Sequence, residues 1–68
     1  MNVTLNGEPR RLGDHASVRE AVAASGAETA ARGLAVAVDG EVVPRGEWDA
    51  TELRDGQRVE VVQAVQGG

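Results

Sequence analysis

The chain has no cysteine, no lysine, no phenylalanine and no tyrosine, and only one histidine and one tryptophan among its 68 residues. The missing cysteines exclude a disulfide framework, and with His15 as the lone imidazole a zinc site cannot be assembled within the chain. A core of this size rarely contributes more than about 3–5 kcal/mol net, and many small domains add a disulfide or a metal. Here compact packing alone has to suffice. No apolar run approaches the roughly 18–20 residues of a membrane span, and no basic-then-apolar leader opens the sequence, so a cytoplasmic protein without a membrane partner is expected. The formal net charge of −4, with arginine as the only strong cation, lacks the positive cluster that a phosphate backbone requires. Nucleic acid is therefore excluded as a partner, and a basic protein surface fits better.

Catalytic constellations are scarce too. His15 sits in the polar stretch "GDHAS" with no nucleophile beside it, and Ser17 is better explained as a helix cap. The carboxylates are scattered through turns and strand exteriors. No glycine-rich loop leads from a strand into a helix, which assigns the nine glycines to turns, caps and the end of the sequence. An enzyme is not expected.

What is present is regular patterning. In "MNVTLNGEPRRL", Val3 and Leu5 alternate with Asn2, Thr4 and Asn6, and Asn6-Gly7 suits the positive φ angles of a type I′ turn, which predicts a hairpin. Pro9 places the return strand at a sheet edge. "SVREAVAASG" reads as a helix with Ser17 as N-cap, Glu20 completing a capping box, Gly26 past the end, and Val18, Ala21 and Val22 as a thin buried stripe. "AETAARG" fits one further helical turn. "GLAVAVDGEVV" alternates large and small apolar residues up to a second turn at Asp39-Gly40, and Pro44 interrupts the return. A looser stretch, "RGEWDATELRDG", closes at Asp55-Gly56. "QRVEVVQAV" is the last strand, with Val59 and Val61 on one face.

One helix after the first hairpin cannot serve a doubly wound sheet, which needs a helix at each parallel crossover. The order therefore predicts an α+β roll, with the first and last strands side by side and parallel and the helix packed across a mixed sheet of four to five strands. This is the β-grasp arrangement. It makes residues 1–68 a single domain, with a body over about 1–63 and a C-terminal Gly-Gly tail over 64–68. Trp48, the one aromatic residue, is either a large plug for a core of Val, Leu and Ala or an exposed partner contact; composition leaves both open. The tail "AVQGG" is likewise open between a frayed end and a working part that passes through a narrow channel.

"DGEVVPRGEWDATELRDGQRVEVVQAVQGG", Asp39 to Gly68, resembles the C-terminal half of the ThiS-type sulfur carriers of thiamine biosynthesis, within the ubiquitin-like β-grasp family. That family tends to show N-G-E-x-V-P-R-S-x-W, then D-G-D-x-V-E, then Gly-Gly; Glu41, Val43, Pro44, Arg45 and Trp48 stand in register. Asp39 replaces the usual Asn, Gly46 the usual Ser, and Gln57 an acidic residue. "MNVTLNGEPR" fits as well, and the likeness is weakest over residues 23–33.

The resemblance implies a carrier that binds no cofactor of its own. An E1-like adenylyltransferase would use ATP to adenylate the Gly68 carboxylate, and sulfur from a cysteine desulfurase or another persulfide source would displace AMP, leaving a thiocarboxylate (1-thioglycine) at Gly68. Thiazole synthase would then take the sulfur. Gly67 would give steric access, Gln66 and Val65 a strand-like lead-in for a partner's active site, and Glu60 and Trp48 a partner surface. The same fold and tail would also fit the small subunit of molybdopterin synthase, a carrier for tRNA thiolation or cysteine synthesis, or a ubiquitin-like interaction module without sulfur chemistry.

Overall fold

The computed structural model describes residues 1–64. Its first two strands, β1 (Asn2–Leu5) and β2 (Glu8–Arg11), pair antiparallel around Asn6-Gly7, whose φ angles of 50° and 82° are those a type I′ turn needs. Asparagine tolerates that left-handed conformation at low cost, so the turn sets the register, Leu5 opposite Glu8 and Asn2 opposite Arg11. Pro9 cannot donate to a ladder, and β2 is indeed an edge strand.

Helix α1 (Val18–Ala24) has seven residues, too few to be stable on intrinsic propensity. Its N-terminus is satisfied donor by donor. Ser17 Oγ accepts from the Glu20 amide at 3.3 Å while the Glu20 carboxylate accepts from the Ser17 amide at 2.7 Å, the expected capping box. The Val18 amide donates to the Thr51 carbonyl at 2.9 Å and the Arg19 amide to the Trp48 carbonyl at 3.2 Å. All three amides of the first turn therefore have partners, two of them supplied by a segment thirty residues away. Gly26 lies past the helix end with φ 86°, as the sequence predicts. The stretch Ala27 to Gly33 does not continue the helix: it forms turns at residues 29–30 and 32–33, with the Ala31 amide donating to the Glu28 carbonyl.

Strands β3 (Leu34–Val38) and β4 (Glu41–Val42) meet at Asp39-Gly40, again with φ 50° and 84°. After Pro44 comes a short 3₁₀ turn (Arg45–Glu47), and β5 (Arg58–Gln63) closes the sheet. The order is β2-β1-β5-β3-β4, with β5 parallel to β1 and antiparallel to β3. This mixed five-stranded sheet with one helix on one face is the expected β-grasp. Leu5, Val36 and Val59 form the core with Val18, Ala21 and Val22, while Trp48 and Leu53 close its end and Val61 packs against it partly buried. No polar or charged residue is buried among the described residues.

The β3–β4 turn carries a pH dependence. The Asp39 carboxylate accepts from the Arg58 amide at 2.9 Å and from the Gln57 side-chain amide at 3.2 Å. These bonds, the first above all, hold its pKa below the ordinary carboxylate value. A folded-state pKa depressed in this way gives stability that is present above the unfolded pKa, near pH 4, and is lost as pH falls through the lower folded value. Asp39→Asn keeps a residue that accepts the left-handed conformation and removes the charge. Thermal unfolding from pH 6 down to pH 2 should show wild type more stable than Asp39→Asn at pH 6 and the gap narrowing below about pH 4. A gap that stays constant over the whole range would exclude the carboxylate as its source.

Candidate functional site

The chemistry expected of this chain lies where β5 leaves the sheet. β5 is the central strand, so its direction fixes where the chain exits the body. On one side it stays paired with β3 to Leu34 opposite Gln63, and the Ala64 amide continues the ladder to the Gly33 carbonyl at 3.0 Å. On the other side β1 accompanies it only at Thr4 opposite Arg58 and Leu5 opposite Val59. There the Asn6 side chain takes over, its Oδ1 accepting from the Val61 amide at 2.7 Å. The turn residue thus also caps the strand next to it. Among the described residues no strand covers that side of β5 beyond Asn6.

Gly33 suits this end of β5 by its conformation and by its small size. Its φ is 76°, and an added Cβ would come within 3.3 Å of the Ala64 Cβ. It lets the connection from α1 turn sharply and approach the end of β5 closely.

The sheet face away from α1 is open. Pairing places Arg58, Glu60 and Val62 of β5 on it beside Ala35 and Ala37 of β3, Thr4 of β1 and Val42 of β4. Among the described residues Val42 and Val62 are the two exposed large apolar ones, 69% and 59% accessible. Glu60, expected at a partner surface, is exposed on this face between Arg58 and Val62. The small side chains of Ala35 and Ala37 keep the β3 part of it low.

Trp48 is elsewhere. It is 1% accessible, in the core, with its indole N–H donating to the Val43 carbonyl at 3.0 Å. The reading of Trp48 as a partner contact is therefore corrected: the indole is the largest side chain in the chain, and the core beside α1 takes it in completely. The Arg45 guanidinium covers it, 4.5 Å from the ring centroid, and Arg19 lies at 5.9 Å. Arg45 also donates from its two terminal nitrogens to the carbonyls of Thr29 and Ala31. Sequence reasoning placed Arg45 in a family motif but assigned it no contact, since a bond from a side chain to a distant backbone carbonyl leaves no residue-type signal.

His15 is exposed and pairs with the Glu52 carboxylate. No group of three His, Cys, Asp or Glu side chains among the described residues could hold a metal ion, and none of their helices is long and apolar enough to cross a membrane. Of the expected tail 64–68, Val65, Gln66, Gly67 and Gly68 lie outside the described residues.

Residues 3–68 match the ThiS family. The fold is similar to the crystal structure of a thiamine biosynthesis protein (ThiS) from Geobacter metallireducens, 36% identical, with 100% of each chain covered and a TM-score of 0.78. It is also similar to the NMR solution structure of a thiamine biosynthesis protein from Geobacter metallireducens, 34% identical over 100% of this chain and 88% of that one, with a TM-score of 0.75. The comparison with curated proteins finds no match.

Proposed function

The chain belongs to the ThiS family, and from that premise we propose that it is a sulfur carrier in thiamine biosynthesis whose working group is the carboxylate of Gly68. The observation that carries this reading is that the family match spans residues 3–68 and so includes both Gly67 and Gly68.

A carboxylate is a poor electrophile because its leaving group would be oxide. Attack of a Gly68 carboxylate oxygen on the α-phosphorus of ATP, on an E1-like adenylyltransferase, expels pyrophosphate and makes an acyl-adenylate. A hydrosulfide sulfur then displaces AMP and gives the thiocarboxylate. A persulfide donor, such as a cysteine desulfurase provides, gives an acyl disulfide first, which a thiol reduces to the same product. Thiazole synthase takes the sulfur and returns Gly68 to a carboxylate. The chain has no thiol of its own, so a sulfur that it carries has to sit on a carboxyl carbon, and the reading assigns it to that of Gly68. Gly67 leaves the approach to Gly68 unobstructed, and Val65 and Gln66 offer backbone groups to a partner strand. The cytoplasm, where ATP is available, is the proposed compartment.

Docking is assigned to the open sheet face, with Val42 and Val62 as its apolar part and Glu60 steering a basic surface of the activating enzyme. Glu60→Lys should raise the KM for activation at low salt, and the difference from wild type should shrink as salt screens it. Equal KM values in low salt would remove Glu60 from the interface.

The test of the whole reading is the intact mass after incubation with ATP, sulfide and an E1-like enzyme from the same cell. One oxygen replaced by sulfur is expected. No gain with an enzyme that activates a control carrier would leave a ubiquitin-like interaction module as the better reading.

A further inference from the structure

Arg45 joins two parts of the molecule that the sequence keeps apart, its own 3₁₀ turn with Trp48 and the Ala27–Gly33 connection. Its guanidinium lies on the buried indole of Trp48, and its two ends donate to the carbonyls of Thr29 and Ala31. Those carbonyls belong to the Ala27–Gly33 connection, which forms no helix or strand and in which the Ala31 amide donates to the Glu28 carbonyl. Two residues beyond Ala31 is Gly33, whose carbonyl holds the Ala64 amide at 3.0 Å. Ala64 is in turn the last residue before Val65 to Gly68.

From this series of contacts we infer that Arg45 is a positioning residue for the tail: anchored on Trp48, it fixes the Thr29–Gly33 connection and so sets where the chain leaves β5. The inference rests on the reading of Gly68 as the reacting end. The anchor suits the task. Trp48 is immobilised by complete burial and by its bond to the Val43 carbonyl, while a planar guanidinium can stack on an indole and present two donors in a fixed fork. Lysine offers a point charge without the fork, so it can satisfy one carbonyl but not hold the pair in one geometry. Arg45 lies against Trp48 and the Thr29 and Ala31 carbonyls and not on the open sheet face, so its loss should affect how the tail is delivered more than how the body docks.

The experiment compares wild type, Arg45→Met and Arg45→Lys in two ways. Amide hydrogen exchange of the free protein is read at Ala64 and at Val59, in the buried part of β5. Activation by the E1-like enzyme is read as kcat and KM separately. Arg45→Met should lose protection at Ala64 well beyond any loss at Val59, and should lower kcat by about tenfold or more with KM within about twofold, because displacement of a reacting group by about 1 Å can cost two orders of magnitude. Arg45→Lys should fall between the two. A merely stabilising arginine would instead lower protection at both amides alike and leave kcat unchanged in the folded fraction. That result overturns the inference, as does unchanged exchange at Ala64. Should Arg45→Met not fold, Arg45→Lys decides by the same criteria. If wild type itself is never activated, the carrier reading fails, and exchange at Ala64 still decides whether Arg45 fixes the exit of β5.

Discussion

Deletion of Gly68 alone is expected to abolish thiocarboxylate formation while leaving the thermal midpoint of the body unchanged. A carboxylate still ends such a chain, now on Gly67, so its chemistry is intact and only its position differs. One extended residue spans about 3.3–3.6 Å, whereas reacting atoms must approach to about 3–3.5 Å before a bond can form. Shortening the tail by one residue therefore withdraws the carboxylate by about the whole approach distance. Among the described residues the core cluster runs to Val59, with Val61 packed against it, and the strand ladder runs to Ala64, so a deletion at Gly68 is expected to leave the energetics of the body unchanged. A midpoint shift corresponding to less than about 0.5 kcal/mol is expected, the range of surface changes away from packing and caps. Gly68→Ala separates reach from bulk, since it keeps the length and adds only a methyl group. It should be activated slowly, whereas the deletion variant should not be activated at all. Intact mass under the same incubation reads both, and a sulfur gain on the deletion variant equal to wild type would show that Gly68 is not the attachment point.

Much of the fold is written in local chemistry. Asn6-Gly7 and Asp39-Gly40 each pair a residue tolerant of positive φ with a glycine, and both became the turns that set the register of their hairpins. Ser17 and Glu20 stand three apart, and a capping box follows from that spacing. What was not legible is long-range and made by backbone. The carbonyls of Trp48 and Thr51 complete the start of α1, and any residue type could have supplied them. Residues 27–33 have helix-compatible composition, yet Gly26 ends α1 before them and Arg45 holds two of their carbonyls outward, so tertiary bonding overrides propensity there. The candidate site divides the same way. Strand alternation in β5 puts Glu60 and Val62 on one exposed face, but Val42 needed the sheet order to be brought onto it. The role given to Val65 to Gly68 rests on the family resemblance alone.

Trp48→Ala is expected to unfold the protein. Truncating a fully buried Trp costs about 3–5 kcal/mol, from lost transfer energy and from the cavity that remains. A 68-residue chain without disulfide or metal has about that much stability in total. The neighbours cannot close the gap, because the cluster around it is built of Val, Ala and Leu, with no other aromatic residue in the chain to move in. Arg45 and Arg19 would also lose the ring face they cover. Trp48→Phe makes the smaller change: it keeps most of the apolar volume but leaves the Val43 carbonyl without its 3.0 Å donor, a loss of about 1–3 kcal/mol. For a domain of this size each kcal/mol lowers the midpoint by about 4–8 °C. Circular dichroism at 25 °C should therefore show an unfolded spectrum for Trp48→Ala and a folded one, with a clearly lowered midpoint, for Trp48→Phe. Because the indole is enclosed, folded Trp48→Phe should keep the wild-type KM for the activating enzyme. A folded Trp48→Ala with a near-native midpoint would mean that the core does not depend on the indole, whereas a raised KM in folded, stable Trp48→Phe would return Trp48 to the partner surface.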